Sequence, residues 1–104
     1  MRTLKETFRR VIAYGPHTDD IELGCGGTIC RLQEEGVNIF CVNFSICEDW
    51  VPEPFPKDIL KKEAFLAAKT MGLPEENIET HRFQATELWK VRDKIFSIME
   101  SHRN

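Results

Sequence analysis

The chain has no apolar run able to cross a bilayer. Its longest, Val37 to Ile46, is interrupted by Asn38, Asn43 and Ser45 and is far shorter than the ~20 residues a spanning helix needs. No hydrophobic leader is expected either, since the stretch Met1-Arg2-Thr3-Leu4-Lys5-Glu6 is polar. A cytoplasmic protein with no membrane partner is therefore expected. It also lacks a basic surplus: the net charge is −3, and the pairs Arg9-Arg10 and Lys61-Lys62 stand alone. A nucleic-acid surface would need such residues clustered on one face, so no nucleic-acid partner is expected. No CxxC pair occurs among Cys25, Cys30, Cys41 and Cys47, and three of the four lie in or beside apolar runs. Buried, reduced thiols are expected rather than a disulfide framework. Internal repeats and low-complexity stretches are absent. So is the GxGxxG order, which leaves Gly24, Gly26 and Gly27 only a weak likeness to a phosphate-binding turn.

What is present describes one ordinary globular domain over residues 1–104, 41% apolar and 30% charged. Arg10 to Tyr14 reads as a short buried strand ended by Gly15-Pro16. Gly24 to Glu35 reads as a helix with Cys25, Ile29 and Leu32 on one face, stopped by Gly36. Val37 to Ser45, rich in β-branched and aromatic residues, is the clearest strand, apolar enough to be covered on both faces. Three prolines make Cys47 to Pro56 a loop. Leu60, Ala64, Ala67 and Met71 recur at helical spacing through Asp58 to Met71, and Gly72 ends that helix. Asn77 to Phe83 follows as a weaker strand, and Leu88, Val91, Ile95 and Ile98 give a last helix.

The order β-α-β-α-β-α calls for an α/β fold: a three-layer, Rossmann-like parallel sheet, truncated to half of a doubly wound one. The first strand is expected at an edge and the second in the centre. An apolar strand with an open edge invites pairing, so a homo-oligomer through the exposed edge of the first strand is expected.

Chemistry concentrates in the segment from Tyr14 to Thr28, which sets one imidazole and two adjacent carboxylates between the first strand and a glycine-rich helix. Ligands of open α/β sheets gather where strands end, and this loop follows the first strand's carboxyl end. His17 and Asp20, three apart on a loop turning into a helix, can face one point, and both are reasonable zinc ligands. Asp19 would stand beside the metal as a base toward bound water. Glu22 and Thr28 could support the loop through backbone amides. Thr18, Asp19 and Asp20 are equally good helix N-caps, which is reason enough for a polar cluster there.

The run His17-Thr18-Asp19-Asp20-Ile21-Glu22-Leu23-Gly24-Cys25-Gly26-Gly27-Thr28 resembles the signature of the LmbE-like, or PIG-L, N-acetylglucosaminyl deacetylases, AHPDD-x-E-x-G-x-GG-T. The likeness continues through Leu32, Glu35-Gly36, Ser45, Glu63-Ala64, Ala67-Ala68 and Met71-Gly72, and covers about the first half of a family member. It implies a Rossmann-like fold and zinc-dependent removal of acetyl groups from N-acetylglucosamine conjugates. His17 and Asp20 would be the metal ligands, Asp19 the catalytic base, and an amino-sugar conjugate the partner. The alternative is a catalytically silent half-domain acting as an oligomeric binding or interaction module.

Three departures accompany the resemblance. The family's third ligand comes from a later histidine motif, which this chain ends before. Thr18 replaces the usual proline after the histidine, while Pro16 precedes it. Leu60 stands where an arginine associated with substrate binding is expected, and it offers no guanidinium fork. His81, near the end of the third strand, and His102, among the last residues, read as surface histidines rather than replacements for the missing ligand. Trp50 reads as packing over the sheet or a partner, with lining of a sugar pocket as the alternative. Phe55 and Trp89 read as core or interface.

Overall fold

The computed structural model describes residues 4–103. A short helix α1 (Leu4–Thr7) precedes strand β1 (Arg10–Gly15), followed by α2 (Asp20–Glu34), β2 (Asn38–Asn43), α3 (Ile59–Thr70), β3 (Ile78–Thr80) and α4 (Arg92–Ser101). The three strands form one parallel sheet in the order β1-β2-β3, with β2 central as expected. Register runs from Arg10↔Asn38 to Gly15↔Asn43, and from Cys41↔Ile78 to Asn43↔Thr80.

Alternation along the strands sends two sets of side chains to opposite faces. Val11, Ala13, Ile39, Cys41 and Ile78 meet Ile21 and Ile29 of α2 and Ala68 of α3 in the main core. A sheet that advances in one direction through two right-handed crossovers places both helices on the same side. Arg10, Ile12, Tyr14, Phe40 and Val42 face the other way, toward α4. That helix buries none of its residues, and Phe96 remains 62% exposed. What fastens α4 is its end: the Arg10 guanidinium donates to the His102 carbonyl at 2.6 Å, Tyr14 Oη meets His102 Nδ1 at 2.9 Å, and His102 Nε2 meets Glu79 at 3.0 Å. The layers are thus α2 and α3, the sheet, and α4.

Helices α2 and α3 end as the glycines indicate. Gly36 and Gly72 have φ of +83° and +85°, and the Val37 and Leu73 amides donate back to Leu32 and Ala68. Three boundaries differ from expectation, one of them at α4, which starts at Arg92 because Leu88–Val91 winds into a separate, tighter 3₁₀ turn. Helix α2 starts at Asp20, four residues before Gly24, because Asp20 and Glu22 favour the positive end of a first turn. That turn is separated from the rest by a break at Cys25 (φ −146°, ψ 23°), so Gly24, Gly26 and Gly27 lie within a kinked helix and build no phosphate turn. The third strand is only three residues long. Beyond it, Ser45 and Arg82 pair as an isolated antiparallel bridge.

Among the described residues no helix is long and apolar enough to cross a membrane. All four cysteines are free; Cys41 and Cys47 are buried, while Cys25 and Cys30 are only partly covered, less than their apolar neighbours suggested.

Candidate active site

The loops leaving the carboxyl ends of the strands converge on His17. After β1 the chain turns at Gly15, where an added Cβ would lie 2.9 Å from Ile21 Cγ1 and 3.2 Å from Asn43 Oδ1. Close approach at that point carries the loop over α2's first turn. The His17 amide donates to Asp20 Oδ2 at 2.9 Å, and ring Nδ1 lies 3.3 Å from the same oxygen. The two side chains named from sequence therefore do converge. Asp19 occupies the N-cap position of α2, but its side chain makes no capping bond. It lines a cleft of about 320 Å³ together with His17, Glu22, Trp50, Leu60 and Glu63. Burial pushes the Glu22 carboxyl upward, opposed by its bond to a backbone amide and reinforced by Asp19 and Asp20. Thr28 lies exposed further along α2 and does not belong to this loop.

Two groups that no motif marks complete the setting of His17. Ring Nε2 is 2.8 Å from the Ala85 carbonyl oxygen, which only accepts, so Nε2 carries a hydrogen and Nδ1 is the ring nitrogen that faces Asp20. The Ala85 amide donates in turn to Asp49 Oδ1 at 3.3 Å. Trp50 lies against the imidazole, ring centroids 4.8 Å apart. It is half exposed and lines the cleft rather than packing over the sheet. Cys47, in the left-handed region at φ 57°, aims the Glu48–Trp50 turn over the site, and its amide donates to Ser45 Oγ. Burial raises the Cys47 thiol. Nothing in the sequence marks the Ala85 carbonyl, whereas Trp50 was within reach of the rule that ligands collect where strands end.

His81 and His102 do not approach His17, and neither is a plain surface residue. Glu79 bridges them, meeting His81 Nε2 at 2.7 Å and His102 Nε2 at 3.0 Å. Burial works against the charged form of Glu79, but the bonds and fields of the two imidazoles outweigh it and hold the carboxyl below its usual value. Phe55 and Trp89 are 53% and 67% exposed and belong to no core here. Among the described residues no three His, Cys, Asp or Glu side chains form a group able to hold a metal ion.

A parallel sheet with a polar site built on the loops at its strand ends defines the Rossmann-like class. The family model described as PIG-L: GlcNAc-PI de-N-acetylase matches residues 12–104, and the chain belongs to that family. Over 32 residues it is 50% identical to the "Uncharacterized deacetylase YaiS" of Escherichia coli (strain K12), a stretch that is 31% of this chain and 17% of that protein. Among solved structures it is similar to an N,N'-diacetylchitobiose deacetylase from Pyrococcus horikoshii, with TM-score 0.74 and 26% identity over 90% of this chain and 38% of that one. A conserved protein from Thermus thermophilus matches with TM-score 0.59 and 27% identity, over 75% of this chain and 33% of the other. The chain thus spans well under half the length of each of these relatives.

Proposed function

We propose that this chain is the metal-holding part of a zinc-dependent N-deacetylase acting on an N-acetylglucosamine conjugate, working in the cytoplasm. The observation that carries it is the His17–Asp20 pair. Their facing atoms, Nδ1 and Oδ2, lie 3.3 Å apart, close enough to share one cation, a proton or a metal ion. Ligands about 2.0–2.1 Å from a tetrahedral zinc are separated by about 3.3–3.4 Å, so imidazole and carboxylate fit two corners of such a site. Bound there, zinc would polarise the acetyl carbonyl and acidify water. Asp19 would take the proton from the attacking water at a carboxylate oxygen. As the acetyl carbon gains that water oxygen and loses the amide nitrogen, Asp19 would return the proton to the departing amine. The four free thiols support a reducing compartment.

Zinc titration of the purified chain tests this directly. Wild type is expected to take up about one zinc per chain, more weakly than a site with three protein ligands, and His17→Ala or Asp20→Ala to abolish uptake. Where acetate is released from an N-acetylglucosamine conjugate, Asp19→Asn should remove about 10²–10⁴-fold of the rate while zinc content holds. No uptake even at high added zinc would overturn the proposal.

The margin of β1 favours a second reading, a silent half-domain that pairs with a second copy. The Arg9 and Gly15 carbonyls accept from β2, so in the parallel ladder the amides and carbonyls of Arg10, Ile12 and Tyr14 point away from it, and among the described residues no strand pairs there. Two copies joined edge to edge about a twofold axis would continue the sheet. Native mass measurement should then find dimers, and Ile12→Pro, which deletes an outward amide, should yield monomers. Monomers alone at micromolar concentration would sink this second reading.

A further inference from the structure

Where β1 lies open, α4 adds an apolar groove beside it. Ile12 and Tyr14 form the sheet side of a groove of about 370 Å³, and Phe96 and Met99 of α4 form the helix side. Phe96 is 62% exposed and Met99 39%, so the helix turns apolar surface outward at the margin where the strand has unpaired amides and carbonyls. Glu100 and Arg103 line the same groove, and both are exposed. Among the described residues neither side chain has an ion-pair partner. One acid and one base suit an isologous contact, in which each surface meets its own copy and residue i touches j while j touches i. A strongly acidic or basic partner would instead meet a like charge.

We infer that two copies of this chain dock β1 against β1 with Ile12 on the twofold axis, Phe96 of each copy entering the other's groove and Glu100 of each facing the partner's Arg103. The inference rests on the second reading above and adds to it a register and a helix contact. Only Arg10, Ile12 and Tyr14 offer outward backbone groups within β1, and antiparallel pairing must set such positions opposite one another. Centring on Ile12 places Arg10 opposite the partner's Tyr14 and uses all three positions in both copies. Any other centre leaves outward groups unpaired, and centring on Arg10 would also oppose two guanidinium groups. A twofold axis perpendicular to the sheet keeps both α4 helices on one side, so the two grooves lie next to each other there.

Sedimentation equilibrium of the full chain from about 1 to 100 μM tests the contact, and wild type is expected to dimerise. Phe96→Ala removes an exposed ring twice per dimer and should weaken association at least about tenfold. Glu100→Arg and Arg103→Glu should each weaken it about five- to thirtyfold, because like charges then meet twice. Mixing those two charge variants restores both opposite-charge contacts, so their heterodimer should form within about threefold of wild-type strength. A contact within one chain gains nothing from mixing, so absence of recovery overturns the inference. Wild-type monomers throughout, or dimers indifferent to Phe96→Ala, overturn it as well. Dimers lost with Ile12→Pro yet untouched by the other substitutions sink the helix contact and leave the edge reading. Dimers that resist Ile12→Pro but yield to Phe96→Ala sink the edge reading and the register with it.

Discussion

His17 and Ala85, 68 positions apart, are joined by a 2.8 Å contact between the imidazole Nε2 and a backbone carbonyl. The bond leaves Nδ1 as the ring nitrogen that faces Asp20, and it does so without a side chain on the Ala85 side. Metal-binding histidines are commonly oriented this way, by a carbonyl or carboxylate behind the ring.

Asp49 steadies that carbonyl through the Ala85 amide, and Asp49→Ala should loosen it. Zinc affinity is expected to fall about tenfold with the circular dichroism spectrum unchanged, read by calorimetric titration. An unchanged affinity would show that the loop needs no such prop.

The Glu79 bridge predicts acid sensitivity. A carboxyl held below its ordinary value in the folded chain contributes stability that is fully present above that ordinary value, about pH 4.3, and is lost as pH falls toward the folded one. Urea midpoints measured from about pH 6 down to about pH 3 should therefore fall more steeply for wild type than for Glu79→Gln. Parallel curves would contradict the latch.

Burial, reinforced by Glu22 and Cys25, pushes the Cys41 thiol up to about 11. Its thiolate is therefore scarce at neutral pH, and the stability tied to the protonated thiol should be lost as pH rises from the ordinary thiol range toward that value. Iodoacetamide at about pH 8 should label the partly covered Cys25 and Cys30 well before Cys41, as peptide mass mapping would record.

Ile39 is fully enclosed at the centre of β2, whereas Ile12 is only half-buried on the thinly covered face. Ile39→Ala should cost about 2–5 kcal/mol and Ile12→Ala distinctly less, from urea unfolding at fixed pH. Equal costs would mean that α4 covers its face as well as α2 and α3 cover theirs.

Much of the fold was legible in the residues because its signals are local. The apolar run at Val37–Ser45, the four-three-four spacing through α3 and the stopping glycines each act within a turn or two of chain. The placement of the motif was legible too: His17 meets Asp20 at the end of β1, and Asp19 lines the cleft beside His17. What stayed hidden depends on meetings across the chain. The Ala85 carbonyl has no residue-type signature, and His102 gains its role only when α4 brings it beside Tyr14 and Glu79. The early start of α2 was missed because Gly24, Gly26 and Gly27 read as punctuation, whereas the helix absorbs them with a single break at Cys25.

At Gly15 there is no room for one more carbon between the turn and Ile21. Chemistry and packing are geared together at that contact: a shift in how the first turn of α2 seats on the sheet moves the loop that holds the imidazole. Ile21 therefore acts as a spacer beneath His17 and Asp20, so that even a purely apolar exchange there would be felt as a change in how those two side chains meet.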